Sequence, residues 1–325
     1  MRQPLKIAAF AAAFLCAGAT FGDAAPATSV DPIVTGTAHD ALFGIAFDGA
    51  NGVAVGAAGV IQQTADGGKT WKAAASPTEL SLLAVSLRGS HRIAVGQTGL
   101  ALLSDTGDKW DKIDTGTKER LLGVSVNASG VAVAVGSFGT VLKSDDAGKT
   151  WKSIAPASWD PFIDKNNQGA QPHLYDVKVE DNGTITIVGE FAMVLRTTDN
   201  GATWKQLHQG EASLFALDLR ADGTGYAVGQ SGTILKTADH GDTWQTVDSG
   251  SQAILLGVKS SADGKVFVTG MHDMVRSADG GKTWQHVDNP DVAGSWYEGA
   301  SAPEGTSDAI AVGHAGRIVR LSIGG

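Results

Sequence analysis

The chain has 325 residues, but 43 are glycine, about 13% against a usual ~7%, and only 18% are charged against a usual ~25%. Glycine this dense without a Gly-X-Y period excludes collagen, and 42% hydrophobic residues exclude a disordered chain. A net charge of −9 argues against nucleic acid as a partner, because a phosphate backbone demands a basic surface; eight tryptophans and few charges instead fit an all-β protein of strands and tight turns.

Arg2 and Lys6 precede an apolar run over residues 7–21, and Gly22-Asp23-Ala24 offers small residues at −3 and −1 of a cleavage site. This is the pattern of a secretory signal, expected over residues 1–24 and expected to be cleaved. A retained anchor is the alternative, although the run is shorter than the ~20 apolar residues of a membrane helix. A lipoprotein at Cys16 is disfavoured, because Leu15 before it is not small. Cys16 is the single cysteine, so a mature chain over 25–325 has no disulfide. Its net charge is about −10 once Arg2, Lys6 and Asp23 are removed. A periplasmic or secreted protein with no membrane span of its own is expected.

The remainder repeats. A block ending in tryptophan reads TADGGKTW at 64–71, SDDAGKTW at 144–151, TTDNGATW at 197–204, TADHGDTW at 237–244 and SADGGKTW at 277–284, with a shortened SDTGDKW at 104–110. The tryptophans are spaced 39, 41, 53, 40 and 40 residues apart. An AVGxxG-type string precedes each block, and an apolar start such as Leu121-Leu122-Gly123-Val124 opens each unit. Seven units result, beginning near Ala41, Leu80, Arg120, His173, Ser213, Ala253 and Ser295.

Each unit holds four short apolar runs; in the fifth they cover 213–219, 225–228, 233–237 and 243–247. Runs of this length with Asp, Gly or Asn between them predict four-stranded antiparallel sheets. One such sheet leaves two apolar faces bare, and seven stacked around an axis bury them all. The expected fold is an all-β, seven-bladed propeller, one domain over 25–325. The seventh unit has only three strands, so the stretch 31–38 is expected to supply the fourth and close the ring. An open ring would leave two unpaired edges.

The block S/T-x-D-x-G-x-x-W resembles the Asp-box, the bacterial neuraminidase repeat. Its Asp66, Asp146, Asp199, Asp239 and Asp279 are expected to hydrogen-bond within a hairpin turn, with glycine supplying a positive φ. Trp71, Trp151, Trp204, Trp244 and Trp284 are expected to fill the gaps between blades. Five carboxylates on five separate turns cannot converge on a substrate, as catalysis requires.

The string A-V-G-x-x-G-x-[IVL]-[IL]-[KR]-[ST]-x-D-x-G-x-[ST]-W, best seen at 134–151 and 227–244, is similar to the photosystem II stability/assembly factor family and its relatives in non-photosynthetic bacteria. The similarity covers nearly the whole mature chain. It departs in unit two, where Leu103 replaces the basic residue, and in unit seven, which lacks the block. The resemblance implies a protein-binding accessory or assembly role toward a membrane protein complex or transporter component on its lumenal side, without catalysis. It implies neither a cofactor nor a metal, and a monomer is expected.

The alternative is a carbohydrate-binding or glycoside-hydrolysing, sialidase-like propeller. A sialidase of this type uses three arginines, a Tyr–Glu pair and an acidic residue. Here no arginine lies between Arg2 and Arg88, and Tyr297-Glu298 with Arg317 and Arg320 form an incomplete set.

Two departures from the repeat mark partner-binding candidates. The insertion at 155–172, APASWDPFIDKNNQGAQP, presents Trp159 and Phe162 beside Asp160, Asp164 and Lys165 at the end that carries the V-G-x-x-G turns. Phe138 and Phe191, in flanking turns, are placed to join them in one apolar patch. Packing of Trp159 and Phe162 onto their own blade is the competing expectation. The second departure is a column of cations before the block, Lys143, Arg196, Lys236, Arg276 and Arg320, either a docking arc for an anionic partner or a set of interblade ion pairs. His272, Asp273 and His314 are neighbours in the last two units, but no further ligand for a metal is identifiable.

Overall fold

The computed structural model describes residues 27–163 and 167–324. The expected signal segment with Cys16, and Asp164 and Lys165 of the insertion, lie outside the described residues. Among the described residues, no helix is long and apolar enough to cross a membrane.

Seven four-stranded antiparallel sheets form the blades of a propeller. Their innermost strands begin at Leu42, Leu82, Leu121, Leu174, Leu214, Leu255 and Tyr297, one or two residues after the expected unit starts. The fifth blade runs Leu214–Leu219, Gly225–Gly229, Ile234–Thr237 and Gln245–Val247. Second strands such as Ala132–Gly136 and Ile185–Gly189 are buried along their whole length, because a blade covers each face. They therefore read as continuous Val/Ile/Ala runs. Outer strands such as Lys72–Ala73 and Lys152–Ser153 are two residues long, exposed and charged, which blunts an edge against pairing with another chain.

The core consists of seven apolar clusters, one at each blade interface. Between blades one and two, Val53, Val55 and Ile61 meet Leu82, Val85 and Leu102. Each fully buried side chain of this size stabilises the fold by about 1.5–3 kcal/mol relative to exposure.

The ring closes through Thr28–Val34, which pairs antiparallel with Ile318–Ile323 of blade seven, from Thr28 opposite Ile323 to Val34 opposite Ile318. The closing strand thus lies three residues upstream of the expected 31–38. The chain leaves the sheet after Val34 because Asp40 accepts hydrogen bonds from the amide and hydroxyl of Thr37 at 2.7 and 2.8 Å, which folds 37–40 into a turn. Pro32 is tolerated because this is an outer strand.

The AVG string has a structural cause. In every blade the residue after its glycine donates its N–H to a carbonyl just before the innermost strand, as from Ser137 to Arg120 at 2.9 Å. A Cβ on Gly136 would stand 1.9 Å from that carbonyl oxygen, so only glycine fits.

Candidate functional site: the insertion end and the channel mouth

The repeated blocks build turns. In all five, the Ser/Thr hydroxyl donates to the Asp carboxylate at 2.7–2.8 Å. The same carboxylate accepts the amide and hydroxyl of the threonine four residues on. Hydrogen bonds from Thr150, Thr203 and Thr243 hold the carboxyls of Asp146, Asp199 and Asp239 at about 2, and those from Thr70 hold Asp66 lower still. Burial opposes this at Asp279, but bonds from Thr283 and Ser277 still bring it to about 2. Every carboxylate is spent inside its own turn. Trp71, Trp151 and Trp244 donate to the glycine carbonyl of their own block, and Trp204 reaches Ile154 O at 3.1 Å. Trp284 packs edge-on against Tyr226 of the preceding blade.

The cation column is not a surface arc. Lys143, Arg196 and Arg276 are buried. Arg196 pairs with Asp242 at 2.7 Å and donates to His240 O in the block of the next blade. Lys236 donates to Gly280 O at 2.6 Å, and Arg320 reaches Gly67 O at 3.4 Å. Gly67, His240 and Gly280 all directly follow a block Asp, so one carbonyl position is capped at three interfaces. The interblade expectation holds in kind, with a backbone carbonyl as the recurring partner. Lys143 differs and pairs with Asp145 of its own blade.

At the insertion end, Trp159 is buried in the cluster between blades three and four, with Phe162 and Phe191 packed against it. Its ring covers Gly139, where a Cβ would stand 2.1 Å from the indole nitrogen. Trp159 is therefore a packing residue, as the competing expectation had it, because a bare glycine below gives the indole a seat. Gln206 ties the loop down by donating to Phe162 O at 3.0 Å.

Phe138 stands apart. It is 57% exposed, has φ of 52° and meets His173 in a tilted ring contact at 5.1 Å. The positive φ belongs to the repeat, since Ala58, Thr98, Phe191, Ser231, His272 and Ala315 share it at the same turn position, and what singles out Phe138 is its exposure. Phe138 divides two cavities of about 700 and 550 Å³, one reaching Trp159 and the 155–160 loop, the other reaching Arg120 and His173. Among the described residues, the large exposed hydrophobics are Leu80, Phe138, Ile254 and Met271, and all four sit at this end. The opposite end carries paired charges instead, as in Arg88 with Asp181 at 3.2 Å.

Sequence reasoning missed the channel. All seven innermost strands carry a β-bulge near their first residue. The bulged residues are Phe43, Leu83, Leu122, Tyr175, Phe215, Leu256 and Glu298, and all seven line one central cavity of about 360 Å³. Bulges re-aim side chains, here toward the axis. The signal was present in the sequence: the second residue of each apolar start is apolar or aromatic in six units and glutamate in one. Burial pushes the Glu298 carboxyl up to about 7. Asp176, in the same cavity, is also raised by burial to about 7, although it accepts the amides of Val177 and Leu217 at 2.8 and 2.9 Å.

The sialidase-like set does not assemble. Tyr297 is buried and donates to Asp291 at 2.5 Å, and Arg317 pairs with that same carboxylate. Arg320 lies away at the block of blade one. Asp273 is engaged by Ser251 and His286, while His272 contacts Ala293 O.

Comparison with known proteins gives a consistent picture. The family model of Photosynthesis system II assembly factor YCF48 matches residues 28–171 and 158–254. The structure of YCF48 bound to D1 peptide is 19% identical, covering 91% of this chain and 99% of that one at a TM-score of 0.68. YCF48 from Cyanidioschyzon merolae is 21% identical, covering 91% and 98% at 0.69. The GH74 xyloglucanase from Xanthomonas campestris is 15% identical at 0.70, covering 90% of this chain but 53% of the enzyme. No curated protein matches. At these identities the structural likenesses establish the fold alone.

Proposed function

The chain belongs to the Photosynthesis system II assembly factor YCF48 family, and on that premise we propose that it is a non-catalytic, protein-binding accessory factor for a membrane protein complex. Its contact surface is the insertion end, centred on Phe138. The observation that carries this is the segregation of Leu80, Phe138, Ile254 and Met271 to one end of the ring. Apolar side chains gathered on one face and rimmed by polar loops are the usual mark of an interaction surface. YCF48 has been solved with D1 peptide bound, and by that likeness the present chain takes a segment of its client. We place it outside the cytoplasm, after removal of the N-terminal signal, where it meets the lumenal part of that client.

The test is a crosslinking pull-down from detergent-solubilised envelopes. The baits are the wild-type chain and a Leu80→Ser/Phe138→Ser/Met271→Ser variant of matched thermal stability. Capture of a membrane protein by the first and its loss with the second supports the reading. Equal capture by both, or none by either, removes it.

A further inference from the structure

We infer that the mouth of the central channel is a binding site for an alkylammonium group, received by the Glu298 carboxylate within a ring of apolar and aromatic side chains. The inference goes beyond the partner reading above and does not rest on it.

The argument begins with symmetry. Seven bulges deliver seven structurally equivalent side chains to one cavity, and six are Phe, Leu or Tyr. The seventh, Glu298, has no hydrogen-bond or ion-pair partner among the described residues. Glu298 is half-buried on the channel wall, where a carboxylate beside apolar groups loses part of its hydration and no described residue compensates it. Blades two, three and six place leucine at the equivalent position, so nothing in the architecture requires an acid there. The cost is met when the partner arrives from outside.

The walls specify that partner as an organic cation. Phe43 is held by stacking on Trp296, with ring centroids 6.0 Å apart and planes 5° from parallel. Tyr175 and Phe215, from adjacent blades, meet edge-to-face at 4.7 Å on the wall of the same cavity. Aromatic faces attract cations through their quadrupoles. Leu83, Leu122 and Leu256 offer apolar surface to a short alkyl chain. Asp176 adds negative potential, but its oxygens already accept two backbone amides, which leaves Glu298 as the free acceptor. A bare metal ion is not favoured: no group of three or more candidate ligands occurs among the described residues. A cavity of about 360 Å³ takes a lysine side chain or a small free amine, the two sources of this chemistry.

The test uses n-butylammonium chloride and the peptide acetyl-Gly-Lys-Gly-amide against the full chain, with n-butanol and butyrate as controls. Calorimetry should give saturable binding of the ammonium probe and none of the controls. Glu298→Gln and Glu298→Leu should each weaken it at least tenfold. Glu298→Leu restores the residue of three other blades and so keeps the fold. Saturation-transfer NMR on the wild type should show the butyl protons receiving magnetisation from the rings of Phe43, Tyr175 and Phe215, without any variant. Binding of the peptide as well assigns the site to a lysyl side chain, and binding of butylammonium alone assigns it to a free amine. Absence of saturable binding, undiminished binding to Glu298→Leu, or transfer from rings outside the channel overturns the inference. Amine binding that persists when envelope capture fails separates this site from the partner surface.

Discussion

Replacing Thr269 by valine should stabilise the protein. Thr269 lies at the end of Val266–Gly270, is 0% exposed, and its hydroxyl has no hydrogen-bond partner among the described residues. The hydroxyl instead lies over Gly257 of the paired strand, where a Cβ would come within 2.6 Å of it. The other six blades carry valine at the same position, namely Val55, Val95, Val135, Val188, Val228 and Val312. Threonine and valine are nearly isosteric, so the exchange keeps the packing and removes the unpaired group. An unsatisfied buried hydroxyl costs about 1–3 kcal/mol, and the added methyl contributes about 0.8 kcal/mol of burial. A net gain of about 1–3 kcal/mol follows, which at ~2–4 °C per kcal/mol for a large domain raises Tm by several degrees. The reciprocal change, Val228→Thr in blade five, should lower Tm by a similar amount. Differential scanning calorimetry of the three proteins at fixed pH measures both. An unchanged or lowered Tm for Thr269→Val would refute the argument and indicate that a partner such as an ordered water satisfies this hydroxyl.

Deleting the chain through Val34 should unlatch the ring, with a large drop in Tm and concentration-dependent light scattering from the bared Ile318–Ile323 edge; a Tm equal to wild type contradicts closure by this strand. Reversing the charges of Arg196, Lys236 and Arg276 together should lower Tm by many degrees while a refolded or marginally folded pool still captures the partner; lost capture at undiminished stability would restore the docking-arc alternative. Stability should also vary with pH in two opposed ways. The block carboxyls lie at or below about 2 when folded, against 3.8 when unfolded, so their contribution is complete above about 4 and vanishes as pH falls through 2. Glu298 and Asp176, raised to about 7, bind protons in the folded state that the unfolded chain has released, so their contribution declines as pH rises from about 4 to 7. Tm should peak near pH 4–5, and Glu298→Leu should flatten the upper limb; an upper limb unchanged in that variant contradicts the assignment.

Much of this architecture is legible in the residues, because a propeller writes the same physics seven times. The AVG glycine recurs because one carbonyl approaches it in every blade, and the block aspartates recur because each turn needs the same acceptor. The closing strand was harder to place, since 31–38 and 28–34 both offer a short extended run, and only the Thr37–Asp40 turn decides between them. The candidate site was legible in part. An aromatic insertion beside aromatic turns points to one end of the ring, but composition does not distinguish Trp159, seated on Gly139, or Phe191, packed on the same cluster, from Phe138, which stays exposed although its turn has the same left-handed φ as that of Phe191. For the cations the sequence leaves two readings open, a docking arc or interblade pairs, and the structure takes the second at Arg196, Lys236 and Arg320, which reach into the block of the next blade, while Lys143 pairs within its own. Glu298 enters the sequence reading only beside Tyr297: the alignment of the seven apolar starts shows it as the one acid among six apolar residues, but that this position faces the channel depends on the bulge.

The central claim, that partners meet the insertion end, is tested most directly by photo-crosslinking in living cells. A photoreactive residue at Phe138 is compared with one at Asn182 on the opposite end. The account predicts a discrete adduct with a membrane protein from position 138 and none from 182. Adducts from 182 with none from 138 would contradict it.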